Sequence, residues 1–144
     1  MLEAAARPIG GLCARVLKFR LAGSTGDLGL EELLLRQALG QNVSTAVLSP
    51  GAHGVMMIPI PRSGVYQGAE GTEESQAVAG IEDVVLTAKQ GQILQALPEG
   101  ATYLGFIFAR GSSAEEVEQS LRRAHSQLKF HISEALPIAP SIVR

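Results

Sequence analysis

Cysteine is nearly missing from this chain: Cys13 is the single thiol in 144 residues. No disulfide can close within the chain, and a reducing compartment is the expected setting. A catalytic thiol needs a base beside it, and none can be read around Cys13, so this residue is expected to be a small buried side chain. An excess of one charge is missing too. Twelve Lys and Arg stand against fourteen Asp and Glu, a net of -2, and the basic residues are not clustered. The electropositive footprint that holds nucleic acid is therefore absent, and nucleic acid is excluded as a partner. No apolar run approaches the length of a bilayer span, and the N-terminus has no basic region leading into a long apolar segment. No membrane partner is expected, and the reading is cytoplasmic. His53, His125 and His131 are scattered without ligand spacing, which assigns no zinc site. Neither Gly-x-x-x-x-Gly-Lys-Ser/Thr nor Gly-x-Gly-x-x-Gly occurs, so the chain carries no recognisable nucleotide cradle of its own.

What is present is the composition of one folded domain, 46% hydrophobic and long enough to bury a core. Apolar and basic residues mix over 12–19, where a short helix is expected, with Arg15, Lys18 and Arg20 facing solvent. A glycine-rich turn follows over 23–29. Residues 30–39 predict a helix: Glu31 and Glu32 occupy its first turn, Leu30, Leu33, Leu34 and Ala38 recur at helical spacing, and Gly40 stands where a helix closes. That leucine stripe is expected to be core. The run 55–60 reads as a buried strand ending at Pro59 and Pro61. Residues 65–68 predict a short strand, 70–78 a short helix, 81–89 a strand centred on Val84, Val85 and Leu86, and 93–97 a brief strand. Tyr103, Leu104, Phe106, Ile107 and Phe108 surround Gly105 in the clearest strand, 103–110. Ser113-Ala114-Glu115-Glu116 fits a capping box that opens the clearest helix, with Val117, Leu121, Ala124 and Leu128 on one face. Beyond Phe130 the chain is expected to thin into an extended arm, because Leu136-Pro137-Ile138-Ala139-Pro140 cannot be a regular helix.

These pieces predict an α+β fold, a mostly antiparallel sheet with helices packed on one face, in a ferredoxin-like or split βαβ arrangement. One stretch stands apart from this architecture. In Leu2-Glu3-Ala4-Ala5-Ala6-Arg7-Pro8-Ile9-Gly10-Gly11 a carboxylate and a guanidinium lie four positions apart ahead of a proline and two glycines. Arg7 precedes proline and is biased to extended backbone, and in an extended stretch Glu3, Ala5 and Arg7 share one face.

Glu3-Ala4-Ala5-Ala6-Arg7 resembles the Glu-x-Asn-x-Arg sequence at the end of the catalytic domain in ATP-grasp carboxylate-amine ligases, a family that includes L-amino acid ligases and, more distantly, biotin carboxylase. The ordered pieces Arg62-Ser63-Gly64-Val65, Gly80-Ile81-Glu82-Asp83-Val84, Ala109-Arg110-Gly111-Ser112-Ser113-Ala114-Glu115-Glu116 and the helix around Leu121 resemble the C-terminal subdomain of the L-amino acid ligases. The resemblance implies that Glu3 is a Mg²⁺ ligand and that Arg7 is catalytic and cofactor-binding, on a phosphate or the acyl-phosphate intermediate. Both roles suit the chemistry, since Mg²⁺ takes one or two protein carboxylates plus substrate phosphates and a guanidinium matches phosphate oxygens in pairs. Ala5 departs from the family's metal-binding Asn and removes one ligand.

On that resemblance residues 1–27 are the last segment of an ATP-grasp catalytic domain, 28–131 a C-terminal α+β subdomain, and 132–144 a tail or linker. The function implied is that of a C-terminal fragment or subunit of a ligase that joins a carboxylate and an amine, inactive alone, with ATP and Mg²⁺ supplied alongside a missing or separate ATP-binding domain. A strand beginning at the first residues would leave a sheet edge uncovered, so a partner or a homo-oligomer is expected. The alternative is a non-catalytic ferredoxin-like module for small-molecule binding or dimerisation, in which Glu3 and Arg7 do nothing special.

Overall fold

The computed structural model of the protein describes residue 10 and residues 12–134. Glu3, Ala5 and Arg7 lie outside these residues, as does the proline-containing stretch 136–140.

The region expected to be helical over 12–19 folds differently. A single 3₁₀ turn, Cys13–Val16, leads into a strand, β1 (Lys18–Arg20). Leu12 has φ 58°, Leu17 is already extended at φ -81° and ψ 106°, and the residues after it pair with two neighbouring strands, so the turn does not continue as a helix. β1 pairs antiparallel with β2 (Leu28–Gly29) and β3 (Val47–Leu48), giving a small sheet in the order β2-β1-β3. Between β2 and β3 runs α1 (Leu30–Ala38), with Glu31 and Glu32 in its first turn and Arg36 in its last. Gly40 closes it at φ 74°, where Gly40 N–H donates to the Gln37 carbonyl and Gln41 N–H to the Arg36 carbonyl, the paired bonds of a Schellman motif. The leucine stripe is not core. No α1 residue is buried, and Leu34, Leu35 and Leu39 are 42%, 64% and 75% exposed. The sheet beneath α1 is too small to enclose the stripe, because β2 and β3 are two residues each.

The remaining elements are β4 (Ala52–Ile58), β5 (Gly64–Glu70), α2 (Thr72–Gln76), β6 (Ile81–Leu86), β7 (Ile93–Leu94), β8 (Gly105–Gly111), α3 (Ala114–Gln127) and β9 (Lys129–Ser133). They form two more antiparallel sheets, β4-β8-β6 and β7-β5-β9, so the expected α+β class is borne out. The order β5-α2-β6-β8-α3-β9 is that of a ferredoxin-like unit, and two of its strand pairs are present, β5 with β9 and β6 with β8. What would join them into one sheet is taken by β4, which lies in unbroken register along β8 from Ala52 opposite Gly111 to Ile58 opposite Gly105. β9 also extends past Phe130, where an arm was expected to begin: Phe130 to Ser133 pair with β5, with a bulge at Gln67.

Side chains on the central sheet alternate between two faces. Ile58, Ile107 and Ala109 point to one face and form the core with Val117, Leu121 and Ala124 of α3. α3 comes this close because β4 carries Gly54, where a Cβ would sit 2.6 Å from Val117 Cγ1. α2 packs beside α3 and β6. α3 starts as its sequence predicts. Ser113 Oγ accepts from Glu116 N–H at 3.2 Å, while the Glu116 carboxylate accepts from the Ser112 N–H at 2.7 Å and the Ser112 hydroxyl at 2.6 Å. Those bonds hold the Glu116 carboxyl below the usual carboxylate range.

Candidate functional site

Glu3 and Arg7 precede the described residues, and the first built feature after them is the 3₁₀ turn Cys13–Val16. This turn is fastened to the second face of the central sheet through Arg15. Its Nη2 donates to Asp83 Oδ2 of β6 at 2.9 Å, and its guanidinium lies 4.5 Å above the ring centroid of Phe108 on β8. Phe108 is only 3% exposed and stacks against Phe106 at 6.3 Å, so the guanidinium rests on a rigid aromatic floor. Arg15 was expected to face solvent. It is instead shared between two strands, although about 45% of its side chain stays accessible, which keeps the ion pair a modest contribution.

Lys18, Glu82, Asp83, Arg15 and Phe108 line a hollow of about 150 Å³ at this point. Two cations and two carboxylates line it, with Arg15 paired to Asp83 and Glu82 lying 3.9 Å from Arg110 Nε. A hollow so small and so internally neutralised suits a joint, since pockets for drug-sized ligands and cofactors run to roughly 300–1,000 Å³. No sequence signal could have found it, because Arg15 and Asp83 are 68 positions apart. A second joint lies in the β2-β1-β3 sheet. Asp27 accepts from the Ser49 hydroxyl at 2.7 Å and from Arg20 at 3.0 and 3.2 Å, and these bonds lower its carboxyl pKa. Both lowered carboxylates thus have structural partners, and neither is tuned as an acid or base. A groove of about 460 Å³ between β4 and α3 is lined mainly by Ala52, Gly54, Met56, Val117 and Leu121, and its charged pair, Glu118 and Arg122, is closed on itself at 2.7 Å. Among the described residues no group of three or more His, Cys, Asp or Glu could hold a metal ion. No helix among them is long and apolar enough to cross a membrane.

A family model described as L-amino acid ligase C-terminal domain 2 matches residues 56–133, more than half of the chain. The chain belongs to that family. The matched span of this C-terminal domain 2 runs from within β4 to the end of β9 and includes the pieces at 62–65, 80–84 and 109–116 that carry the resemblance. The resemblance to the C-terminal part of an ATP-grasp ligase is borne out. Among solved structures, the crystal structure of L-amino acid ligase from Bacillus licheniformis superposes with a TM-score of 0.63 at 22% identity. The superposition covers 74% of this chain and 27% of that one, so the chain spans about a quarter of the length of the enzyme it matches. A search of curated proteins finds no match.

Proposed function

We propose that the chain is the C-terminal portion of an ATP-grasp ligase that forms an amide bond through an acyl phosphate, and that it does not turn over ATP alone. The observation that carries this reading is the family match over residues 56–133. In this reading a nucleotide-binding part elsewhere in the enzyme would hold ATP and Mg²⁺; the γ-phosphoryl group would pass to a carboxylate with release of ADP, and an amine would then displace phosphate from the acyl phosphate. No role assigned to a described residue passes through the ion. Glu3 is assigned to the metal and Arg7 to the phosphate or acyl phosphate, and the cell compartment is the cytoplasm, where ATP is supplied.

The described residues contribute positioning. Catalysis of phosphoryl transfer is mostly alignment and charge neutralisation, and small displacements of an aligned group are expensive. Arg15, eight positions after Arg7, ties the turn that comes after the Glu3 to Arg7 stretch to β6 and β8. The domain-2 sheet then serves as a fixed anchor for the end of a catalytic strand.

Isothermal titration of the isolated chain with MgATP tests the reading and should give no binding heat. The chain joined to, or combined with, the nucleotide-binding part of its enzyme should release ADP in the presence of L-amino acids. Micromolar ATP binding by the isolated chain, or ADP release that does not depend on the chain, would overturn the assignment.

A further inference from the structure

Of the ordered pieces singled out in the sequence, Arg62-Ser63-Gly64 has no part in the joints described above, yet it fastens two separate segments of the chain. Ser63 Oγ accepts from the Ala96 N–H at 2.9 Å, which fixes the segment just after β7. The Arg62 guanidinium donates to the Ile132 carbonyl of β9, and Gly64, at φ 153°, lets the Ser133 carbonyl come so close that a Cβ would collide with it. Gln67 adds a further hold, its Nε2 donating to Ser133 Oγ at 2.9 Å. Beside these fastenings lies a hollow of about 620 Å³, lined by Ser63, Gly64, Ile93, Leu94, Gln95 and Glu134. Its volume is that of a ligand pocket rather than a packing flaw. Glu134 is the one charged residue in this lining, so an apolar occupant suits it better than an ionic one. Leu94 is enclosed, whereas Ile93 stands 74% exposed, and Leu97, further along the same segment, 66%.

We propose that residues 135–144 fold back into this hollow, with Leu136 and Ile138 against Ile93. Glu134 is both part of the hollow's lining and the residue directly before them, and the holds on Ile132 and Ser133 fix that point of departure. The segment Ala135-Leu136-Pro137-Ile138-Ala139-Pro140-Ser141-Ile142-Val143-Arg144 supplies large aliphatic side chains and no carboxylate side chain. It has no ladder to continue along. β5 begins at Gly64, beside the pairing of Val65 with Ser133, and Pro137 and Pro140 have no N–H to donate to a neighbouring strand. In an extended stretch Leu136 and Ile138 share one face, and four residues reach up to about 13 Å, longer than the breadth of such a hollow. The tether selects this occupant over a second copy. Joined to the rim, the segment meets the hollow at an effective concentration on the order of millimolar, which a second copy would have to exceed. The proposal does not depend on the ligase reading, and each can fail alone.

The test uses the full chain in two ways. In the unsubstituted chain, methyl NOEs are expected between Ile93 and Leu136 or Ile138. The chain has no tryptophan, so Ile138→Trp introduces a single reporter. Its emission should be blue-shifted relative to the urea-unfolded chain, and adding Ile93→Asp should return it to the wavelength of exposed indole. Circular dichroism melting verifies that both variants fold. The blue shift should persist on dilution, because the contact lies within one chain. Absence of the NOEs would overturn the proposal whatever the indole reports. A blue shift that survives Ile93→Asp would also overturn it, by placing the segment elsewhere. NOEs and a blue shift that both vanish on dilution would overturn it by making a second copy the occupant.

Discussion

Ile107 and Leu35 are both branched aliphatic side chains in regular secondary structure, yet Ile107 is fully enclosed and Leu35 is 64% exposed. The difference belongs to the two regions in which they sit. From β4 to β9, a seven-residue strand pairs along its whole length with another and a four-turn helix lies across them, so the α3-facing side chains have cover above and beside them. From Leu12 to Ser49, two-residue strands flank a three-residue one, and α1 has support on one side only. The first region closes its own core. The second presents apolar surface that the described elements do not cover.

The largest test of this contrast is truncation of matched residues on each side. Ile107→Ala should lower unfolding free energy by about 2–5 kcal/mol in urea titration, through lost transfer energy and the cavity left behind. Leu35→Ala should stay within about 0.5 kcal/mol of the natural chain. Similar losses at both positions would erase the distinction. Gly71→Ala comes next. Gly71 has φ 83°, and a Cβ there would collide with the Gln127 carbonyl at the end of α3. A cost of about 1–3 kcal/mol from the backbone conformation alone is expected in the same titration, increased by the collision. Ser113→Ala should cost about 0.5–2 kcal/mol by removing the cap. The smallest effect concerns ion pairs of equal geometry in the two regions. Glu32→Gln and Glu118→Gln each remove an exposed i,i+4 pair with Arg at 2.7 Å, and both should change stability by no more than about 0.5 kcal/mol.

Acid sharpens the comparison because each region has one lowered carboxylate, Asp27 in the first and Glu116 in the second. A carboxyl whose folded pKa lies below its unfolded value binds fewer protons when folded. Its contribution is therefore complete above the unfolded pKa and is lost as pH falls through the folded one. Asp27→Asn and Glu116→Gln should each flatten the decline in stability below the ordinary carboxylate range and leave its slope at neutral pH unchanged. This is measured from urea midpoints across the acid range.

Elements with strong local rules could be read from the sequence. α3 follows from its capping box and apolar periodicity, and α1 from its acidic first turn and Gly40, because these signals lie within a few residues of one another. Burial of the α1 stripe could not be read, since periodicity reports that a helix has an apolar side and not whether anything covers it. The 12–19 region could not be read because its pairing with Leu28–Gly29 and Val47–Leu48 decides it, and that pairing leaves no mark on its own composition. β9 was hidden because pairing with β5, between Lys129 opposite Glu70 and Ser133 opposite Val65, decides it more than its own composition does. The Arg15, Asp83 and Phe108 joint has the same character, three residues brought together only by the finished sheet. The resemblance at 62–65, 80–84 and 109–116 was legible as ordered motifs and falls within the family match, whereas the motif at Glu3 and Arg7 lies outside both that match and the described residues.

The position of β8 has a consequence for biosynthesis. β4 and β6 are separated from it by residues 59–104 and 87–104, and each pairs with β8 alone. A ribosome must therefore release Gly105, which lies opposite Ile58 and Leu86, before any pairing of the central sheet can begin, and α3 and β9 emerge later still. Until then the nascent polypeptide carries Val55, Met56, Met57 and Ile58 without their partner strand, a period in which holding chaperones have substrate and after which the domain closes in one late event.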